Sequence, residues 1–277
     1  MRIITDTSAM YTPEEAKAHA IDLLPLSVTI NGKIYKEYID IMPEAFIEEI
    51  KKGGMPSSSQ PPIGETMETF EKYPDEEMIV LNMADGLSGT YASTLAAKNS
   101  MDHADAIHVI NTMTLCGPHR YLVDLAIQMR DAGASTQEII NAIHKHIADT
   151  KSFLIPADFE FLKKGGRLSP MAAKVGGMLK IVPVLELSED GKTLEKFAIK
   201  KTEKGALKTV IKFFSERGVD ERYKIYITHA GDLEKAKRYE ALLREAFPQT
   251  EMEIIELSPV FITHGGPGAI AIQMIVK

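Results

Sequence analysis

Residues 78–100 read MIVLNMADGLSGTYASTLAAKNS, and the fold class can be inferred outward from them. The apolar run at 78–83 has the length and composition of a buried strand, and the segment at 88–100 has the pattern of a helix. A short loop of small residues joins the two. Similar strand-like runs lie at 1–6, 23–30 and 106–112, with helical patterns between them. Strands that alternate with helices predict parallel βαβ units and therefore an α/β fold.

The pattern changes near residue 150. Residues 134–148 still predict a helix, but the segments that follow contain several strand-like runs. Asp190-Gly191 lies between two alternating runs, which is a strong signal for a β-hairpin and so for antiparallel pairing. We therefore predict an N-terminal α/β domain over residues 1–150 and a C-terminal α/β domain with a mixed sheet over residues 151–277. The two domains are expected to pack directly on each other.

Composition and charge limit the class of protein. Of 277 residues, 44% are hydrophobic and 26% are charged, as in globular proteins. The net charge of -7 argues against a nucleic-acid-binding surface, which needs a basic stripe. The N-terminus lacks the apolar stretch of a signal peptide, and no run approaches the roughly 18–20 apolar residues of a membrane span. Because Cys116 is the one cysteine, no internal disulfide can form. We expect a cytoplasmic protein with no stable membrane insertion.

Three loops carry side chains that could bind a ligand. Three serines at 57–59 precede two prolines and a predicted helix, and a Ser-Gly-Thr triplet at 88–90 follows a predicted strand. The segment THGGPG at 263–268 is predicted to end one strand and begin another. Amides and hydroxyls at helix starts favour anions, but the serines at 57–59 could equally form a helix cap and tight turn. The lone His264 could equally be structural.

The chemistry of these loops favours binding over bond cleavage. Hydroxyls and one imidazole are suited to holding a carboxylate, and no loop has P-loop spacing. The segment 86–89 lacks the spacing of a nucleophile elbow, and the histidines form no metal-ligand pattern, so we expect no metal or cofactor. Two alternatives stay open: an acyl hydrolase that uses Ser58 or Ser88 with His264, and a regulator that binds a small molecule or phosphate.

A basic turn follows in the second half. Lys163, Lys164 and Arg167 surround Gly165-Gly166. These side chains could form a solvated turn that caps a helix, or a contact site for an acidic partner or a phosphate. The apolar stretch at 171–185, which contains several small residues, could line a cavity or belong to the core.

The order of these motifs resembles the DegV family of bacterial fatty-acid-binding proteins. Each motif is modest by itself, but the ordered set is specific and spreads over nearly the entire chain. The matching stretches are IITDTSAM (3–10), LPLSVTINGKIYKEYIDI (24–41), PSSSQPPIGE (56–65), LSGTYAS (87–93), FLKKGGRLS (161–169), KIVPVLEL (180–187) and ITHGGPGAIAI (262–272).

The resemblance implies a two-domain DegV-like fold, with a mostly parallel N-terminal sheet that has helices on both faces. It also implies a long-chain fatty acid in a buried apolar cavity, with its carboxylate held by hydroxyls and a histidine. Where the family motif has threonine this chain has Ser58, which keeps the hydroxyl and loses a methyl group. Carried over by motif, the candidate carboxylate contacts are Ser58, Ser59, Ser88, Gly89, Thr90, His264 and Gly265.

The resemblance also implies a protein partner. In kinase-linked members of the family, the binding protein presents its fatty acid to a separate fatty acid kinase, which makes the acyl-phosphate for phospholipid metabolism. Lys164 and Arg167 would contact that kinase, and the chain itself would be a non-catalytic lipid-binding protein. The segment INTMTLCGPHRYL at 110–122 departs from the pattern of many relatives, and it could alter the cavity shape or the start of a helix.

Overall fold

The computed structural model describes residues 1–174 and 181–277. Part of the apolar stretch at 171–185 therefore lies outside the described residues. The strands are β1 (Arg2–Asp6), β2 (Asp22–Leu24), β3 (Ser27–Ile30), β4 (Lys33–Lys36), β5 (Ser57–Ser59), β6 (Met78–Asn82), β7 (Ile107–Asn111), β8 (Thr150–Ile155), β9 (Val182–Leu187), β10 (Leu194–Lys200), β11 (Tyr223–His229), β12 (Glu251–Glu256) and β13 (Ile270–Val276). The helices are α1 (Pro13–Ala18), α2 (Pro43–Lys51), α3 (Ile63–Glu71), α4 (Thr90–Asn99), α5 (Cys116–Asp131), α6 (Thr136–Ile147), α7 (Phe159–Gly165), α8 (Pro170–Ala173), α9 (Glu203–Glu216), α10 (Leu233–Ala246) and α11 (Pro259–Gly265).

The first sheet is parallel and has four strands in the order β2-β1-β6-β7. Successive side chains of a strand point to opposite faces, so each face forms its own core. Ile3 and Ile79 pack with residues of α5 and α6, whereas Ile4 and Val80 pack with residues of α3 and α4. The predicted α/β class, with helices on both faces of this sheet, is confirmed.

The apolar run at 23–30 was predicted as one strand, and this was wrong. The run divides at Pro25, which has no backbone N–H to donate to a ladder. Residues before the proline form β2 in the first sheet, while β3 pairs with β4 and β5 in a separate antiparallel sheet of three strands. In this small sheet, β5 contains the serines at 57–59 and contacts α11, which belongs to the second half of the chain.

The second sheet has six strands in the order β10-β9-β8-β13-β11-β12. Its pairs are antiparallel except for β11 with β12, which are parallel. The hairpin predicted at Asp190-Gly191 is confirmed, since it joins β9 to β10. A core rich in phenylalanine, including Phe153 and Phe214, packs on one face of this sheet.

A core cluster joins the two halves of the chain. Val28 and Phe46 from the first half pack in it with Phe161 and Val260 from the second. All four side chains are buried. Strand β8 begins at Thr150 and pairs with β9 and β13, which both follow it in the chain. The domain division near this residue stays a prediction.

Candidate ligand-binding site

A cavity of about 360 Å³ lies where the small sheet, the second sheet and α11 meet. This volume is within the range of about 300–1,000 Å³ that is usual for small-molecule sites. The wall is mainly apolar. Its apolar residues include Leu26, Met83, Leu87, Leu115, Phe153, Leu154, Leu187, Leu194, Leu257, Val260, Phe261 and Ala271.

A set of polar groups lines the same cavity, and we call it the polar cluster. Its members are Ser58, Ser59, Gln60, Ser88, Gly89, Arg167, His264 and Gly265. Six of the seven candidate carboxylate contacts are in this set. The structure therefore brings together loops that are up to about 200 residues apart in the sequence.

His264 lies on α11, so the prediction that 263–268 ends a strand was wrong, whereas β13 does begin shortly after this segment, at Ile270. The β-branched residues before the histidine favour a strand, but Ser258-Pro259 precedes them, and proline is favoured in the first turn of a helix. The helix is short and ends at Gly265. Its last turn places the imidazole Nε2 2.9 Å from the hydroxyl of Ser58 on β5.

The His264 imidazole is neutral at pH 7 in this structure. Burial, with a smaller contribution from the nearby Arg167 charge, lowers the pKa of His264 to about 4. A neutral imidazole carries one N–H donor and one acceptor nitrogen. Within the described residues, its Nδ1 has no hydrogen-bond partner. Because Nδ1 is buried against Gly165, a hydrogen bond from this ring to a ligand in the cavity would come from Nε2, beside the Ser58 hydroxyl.

Ser58 and its neighbours belong to a strand and do not cap a helix. Residues 57–59 form β5, in which Ser58 pairs with Val28 of β3. Helix α3 begins after Pro62 without any side-chain cap. Ser58 is less exposed than the serines on either side of it. The ladder thus fixes the Ser58 hydroxyl toward His264.

Ser88 and Thr90 occupy different layers of the site. Ser88 lines the cavity at the loop between β6 and α4. Thr90 is buried and is not among the cavity-lining residues, which differs from the role carried over for it. The two hydroxyls are 2.8 Å apart, and the Thr90 amide donates to the Ser88 hydroxyl at 3.3 Å. Thr90 therefore orients Ser88.

Arg167 contributes a cation to the cavity. Its guanidinium donates from Nε to the carbonyl of Leu87 at 3.0 Å and from Nη1 to the carbonyl of Gly165. Burial lowers the pKa of Arg167, and no acidic side chain in residues 1–174 and 181–277 contributes to that shift. Lys164, in contrast, is exposed and lies outside the cavity wall. The two residues predicted as partner contacts thus lie in different environments.

The inner part of the cavity contains polar residues that the sequence interpretation missed. Gln273 of β13 is buried, and its Nε2 donates to the carbonyl of Leu115 at 3.0 Å and to the hydroxyl of Ser152 at 2.8 Å. Its Oε1 accepts from the amide of Gly117 at 3.1 Å. The available signal was one amide side chain in the otherwise apolar strand IAIQMIV.

The unusual segment at 110–122 contributes to the cavity and begins α5. Leu115 and Cys116 line the cavity, and Cys116 starts the helix with a φ of 54°. His119 is buried, and its ring nitrogens are 3.1 Å from the Thr5 hydroxyl and 2.9 Å from the Ser8 hydroxyl. Burial lowers the pKa of His119. The segment therefore fixes the start of α5 against β1.

Residues 1–174 and 181–277 contain no group of three or more His, Cys, Asp or Glu side chains placed to hold a metal ion. None of their helices combines the length and the apolar composition needed to cross a membrane.

A family model for DegV, described as an uncharacterised protein family, matches residues 1–277. The chain belongs to the DegV family. Protein DegV from Bacillus subtilis is 28% identical over 276 residues, which are 98% of this chain and 97% of that protein. A DegV domain-containing protein from Halalkalibacterium halodurans is 30% identical over 282 residues, covering 99% of this chain and 98% of the relative.

Solved structures of DegV proteins share this fold. The crystal structure of DegV from Bacillus subtilis, described as a fatty acid binding protein, has a TM-score of 0.87 at 28% identity and covers 100% of this chain and 99% of that chain. A fatty acid binding DegV family protein from Streptococcus agalactiae has a TM-score of 0.89 at 29% identity, with coverage of 100% and 98%. The family and fold expected from the resemblance are confirmed.

Proposed function

We propose that this protein binds a long-chain fatty acid in the cavity, without catalysis, and presents it to a separate fatty acid kinase. The observation that carries this proposal is a mainly apolar cavity whose wall includes one compact set of hydroxyl, imidazole and guanidinium groups. Two DegV structures of 28% and 29% identity are described as fatty acid binding, which supports the same ligand class.

The polar cluster is suited to a carboxylate. A charged carboxylate that leaves water needs several donors to offset its desolvation. The hydroxyls of Ser58 and Ser88, the N–H of His264 and the guanidinium of Arg167 supply them. Gly89, Gly265 and Ser59 also line the cavity, but the space beside the two glycines is occupied by Gln60 and Ala269.

The apolar wall would supply most of the affinity. Each buried methylene contributes about 0.8 kcal/mol, so a chain of roughly sixteen carbons gains about 12 kcal/mol before the costs of association. The polar cluster would contribute less and would mainly set the direction in which the fatty acid lies. In this proposal, a fatty acid whose acyl chain lies along the leucine-rich wall would have its carboxylate between Ser58 and Arg167.

The position of the polar cluster supports presentation to a partner. Gly89 is exposed at the cavity surface, and the exposed Lys164 lies three residues before Arg167. A kinase bound over the basic turn would therefore approach the carboxylate directly. In this proposal Lys164 contacts the kinase, and Arg167 serves both the fatty acid and the kinase.

The proposal is tested with protein that has been stripped of lipid and titrated with palmitate and oleate. We expect binding of one fatty acid per chain, and an affinity about tenfold lower for His264→Ala, because a donor to a charged group is lost. His144→Ala, at an exposed position on α6, is the matched control and should bind as the parent does. If purified protein carries no lipid in native mass spectrometry and binds neither ligand, the proposal is wrong.

An acyl hydrolase is the second candidate, because the Ser58 hydroxyl lies 2.9 Å from His264. A serine–histidine nucleophile also needs a group that orients the second ring nitrogen of the histidine. Among the described residues no such group bonds to Nδ1 of His264. A fluorophosphonate probe should therefore leave the protein unlabelled, and stoichiometric labelling of Ser58 would favour the hydrolase.

A further inference from the structure

A second cavity, of about 390 Å³, adjoins the first. Ser152 and Leu187 line both cavities and therefore lie at the wall between them. The second cavity has apolar contacts from Met113, Ile147 and Ala148, and apart from Leu187 its other lining residues are polar, among them the charged Lys151, Glu189 and Arg217.

This wall lies away from the polar cluster. Leu154 of β8 pairs with Ala271 of β13, and a Cβ placed on Gly265 would be 3.8 Å from a methyl group of Leu154. Ser152 pairs with Gln273, two residues further along both strands. At about 3.4 Å per residue, the Ser152 level is roughly 7 Å beyond the Leu154 level. An acyl chain anchored at the polar cluster would therefore run toward the wall.

The two halves of the wall are held differently. Ser152 accepts a hydrogen bond from Gln273, which is itself held by Leu115 and Gly117. Leu187 is the last residue of β9 and is held by its strand and by apolar contacts. Its side chain can be shortened without leaving a buried polar group unsatisfied, whereas Ser152 cannot be changed without that cost.

We propose that Leu187 sets the longest acyl chain this protein accepts, by closing the first cavity against the second. This inference rests on the proposed function and specifies the ligand of the same site. With leucine present, an acyl chain that is longer than the first cavity collides with the Leu187 side chain. With a smaller residue, the tail enters the second cavity and contacts Met113, Ile147 and Ala148.

The test is a series of saturated fatty acids from laurate through palmitate and stearate to behenate, titrated into lipid-free protein. In Leu187→Ala the optimum should move to longer chains, and behenate should gain about tenfold over palmitate relative to the parent, as expected for about two more buried methylenes. Leu187→Phe should move the optimum toward laurate. Leu187→Val, which keeps most of the side chain, should show a smaller shift and serves if the alanine variant fails to fold.

Leu194→Ala is the matched control. Leu194 pairs with Leu187 and lines the first cavity but not the second. Its truncation should weaken all chain lengths alike and leave the optimum unchanged. Identical chain-length profiles for the parent and the Leu187 variants would overturn this inference while fatty-acid binding stands. A parent protein that binds no fatty acid would overturn the proposed function instead.

Discussion

The absence of a side chain at position 165 is what lets His264 reach the cavity. A Cβ placed on Gly165 would lie under 3.0 Å from Nδ1 of the imidazole, a separation that real Cβ atoms essentially never show. Gly165 ends α7 and sits beside the last turn of α11. The φ of Gly165 is not in the left-handed region, so its backbone conformation does not require glycine. The close approach of the His264 imidazole does.

Gly165→Ala should therefore displace the imidazole and break its hydrogen bond to Ser58. We expect fatty-acid affinity to fall about tenfold, while the free energy of unfolding changes by no more than about 1 kcal/mol, since alanine favours helix over glycine. Oleate titration and urea unfolding measure the two quantities. Gly64→Ala on α3, where an added Cβ meets nothing within 4 Å, is the control and should keep full affinity. Equal affinities for the two variants would show that Gly165 does not control the imidazole.

The sequence predicts which candidate residues line the cavity better than it predicts their local structure. Ser88 and His264 stand out because each directly precedes a glycine, and Ser58 stands out because it lies in a serine run between Pro56 and Pro61. The helix around His264 was missed because its β-branched residues resemble a strand. Gln273 could not be assigned a role from sequence, since its partners Gly117 and Ser152 are more than 100 residues away.

At the scale of elements, a buried carboxyl joins the end of β4 to the start of α11. Glu37 is fully buried and accepts hydrogen bonds from the Val260 amide at 3.0 Å and from the Thr7 hydroxyl. The first turn of a helix favours a negative group. Burial is the larger effect, and it raises the pKa of Glu37 to about 7. Glu37 therefore couples the position of α11, and with it His264, to the first half of the chain.

The Glu37 contribution to stability should depend on pH. Because the folded protein holds this proton more tightly than the unfolded chain, the contribution is full below pH 4.5 and is lost as pH rises toward 7. The loss is on the order of 3 kcal/mol. Urea unfolding of the parent and of Glu37→Gln should show this slope in the parent only.

The comparison must be made as a difference, because His264 has the opposite effect. The pKa of His264 is lowered from 6.5 to about 4, so its contribution to stability is lost as pH falls from 6.5 through 4. The parent and Glu37→Gln both keep His264. Subtracting one curve of unfolding free energy against pH from the other therefore leaves the contribution of Glu37. Glu14→Gln, at an exposed carboxyl on α1, should retain the slope of the parent. A flat difference curve between pH 4.5 and 7 would contradict the raised pKa.

The β9–β10 hairpin closes one side of the cavity by docking on the first half of the chain. A Cβ on Gly86 would lie under 3.0 Å from the Cα of Lys192, at the hairpin tip. Backbone atoms cannot turn aside as a side chain can, so Gly86→Ala must move the hairpin. We expect a loss of about 1–3 kcal/mol of stability, as for overpacking. Fatty-acid affinity should fall too, since Leu187 and Leu194 line the cavity from this hairpin. Calorimetry measures both the stability and the fatty-acid affinity of Gly86→Ala. The control Gly64→Ala should change neither quantity.

At the scale of the whole molecule, the cavity and the shared core occupy the same place. Val28 and Phe46 pack with Phe161 and Val260 in one cluster, and Val260 also lines the cavity. The parallel sheet and the hairpin could be predicted because they depend on local patterns. The contact between the two halves of the chain could not be predicted, since it depends on side chains that are far apart in the sequence. A division into two domains thus need not mean that the two unfold independently.

We therefore expect the lipid-free protein to unfold in a single transition, because opening either half would expose the shared core. A fatty acid that binds only the folded state should raise the free energy of unfolding by about 2.7 kcal/mol at a free concentration 100 times its Kd. Urea unfolding followed by far-ultraviolet circular dichroism and by tyrosine fluorescence should give coincident curves, with and without oleate. Butyrate, whose short chain buries little apolar surface, is the control and should leave the midpoint unchanged. Two separate transitions, with oleate shifting only one, would show that the fatty acid is held within one half and that the shared core contributes little to cooperativity.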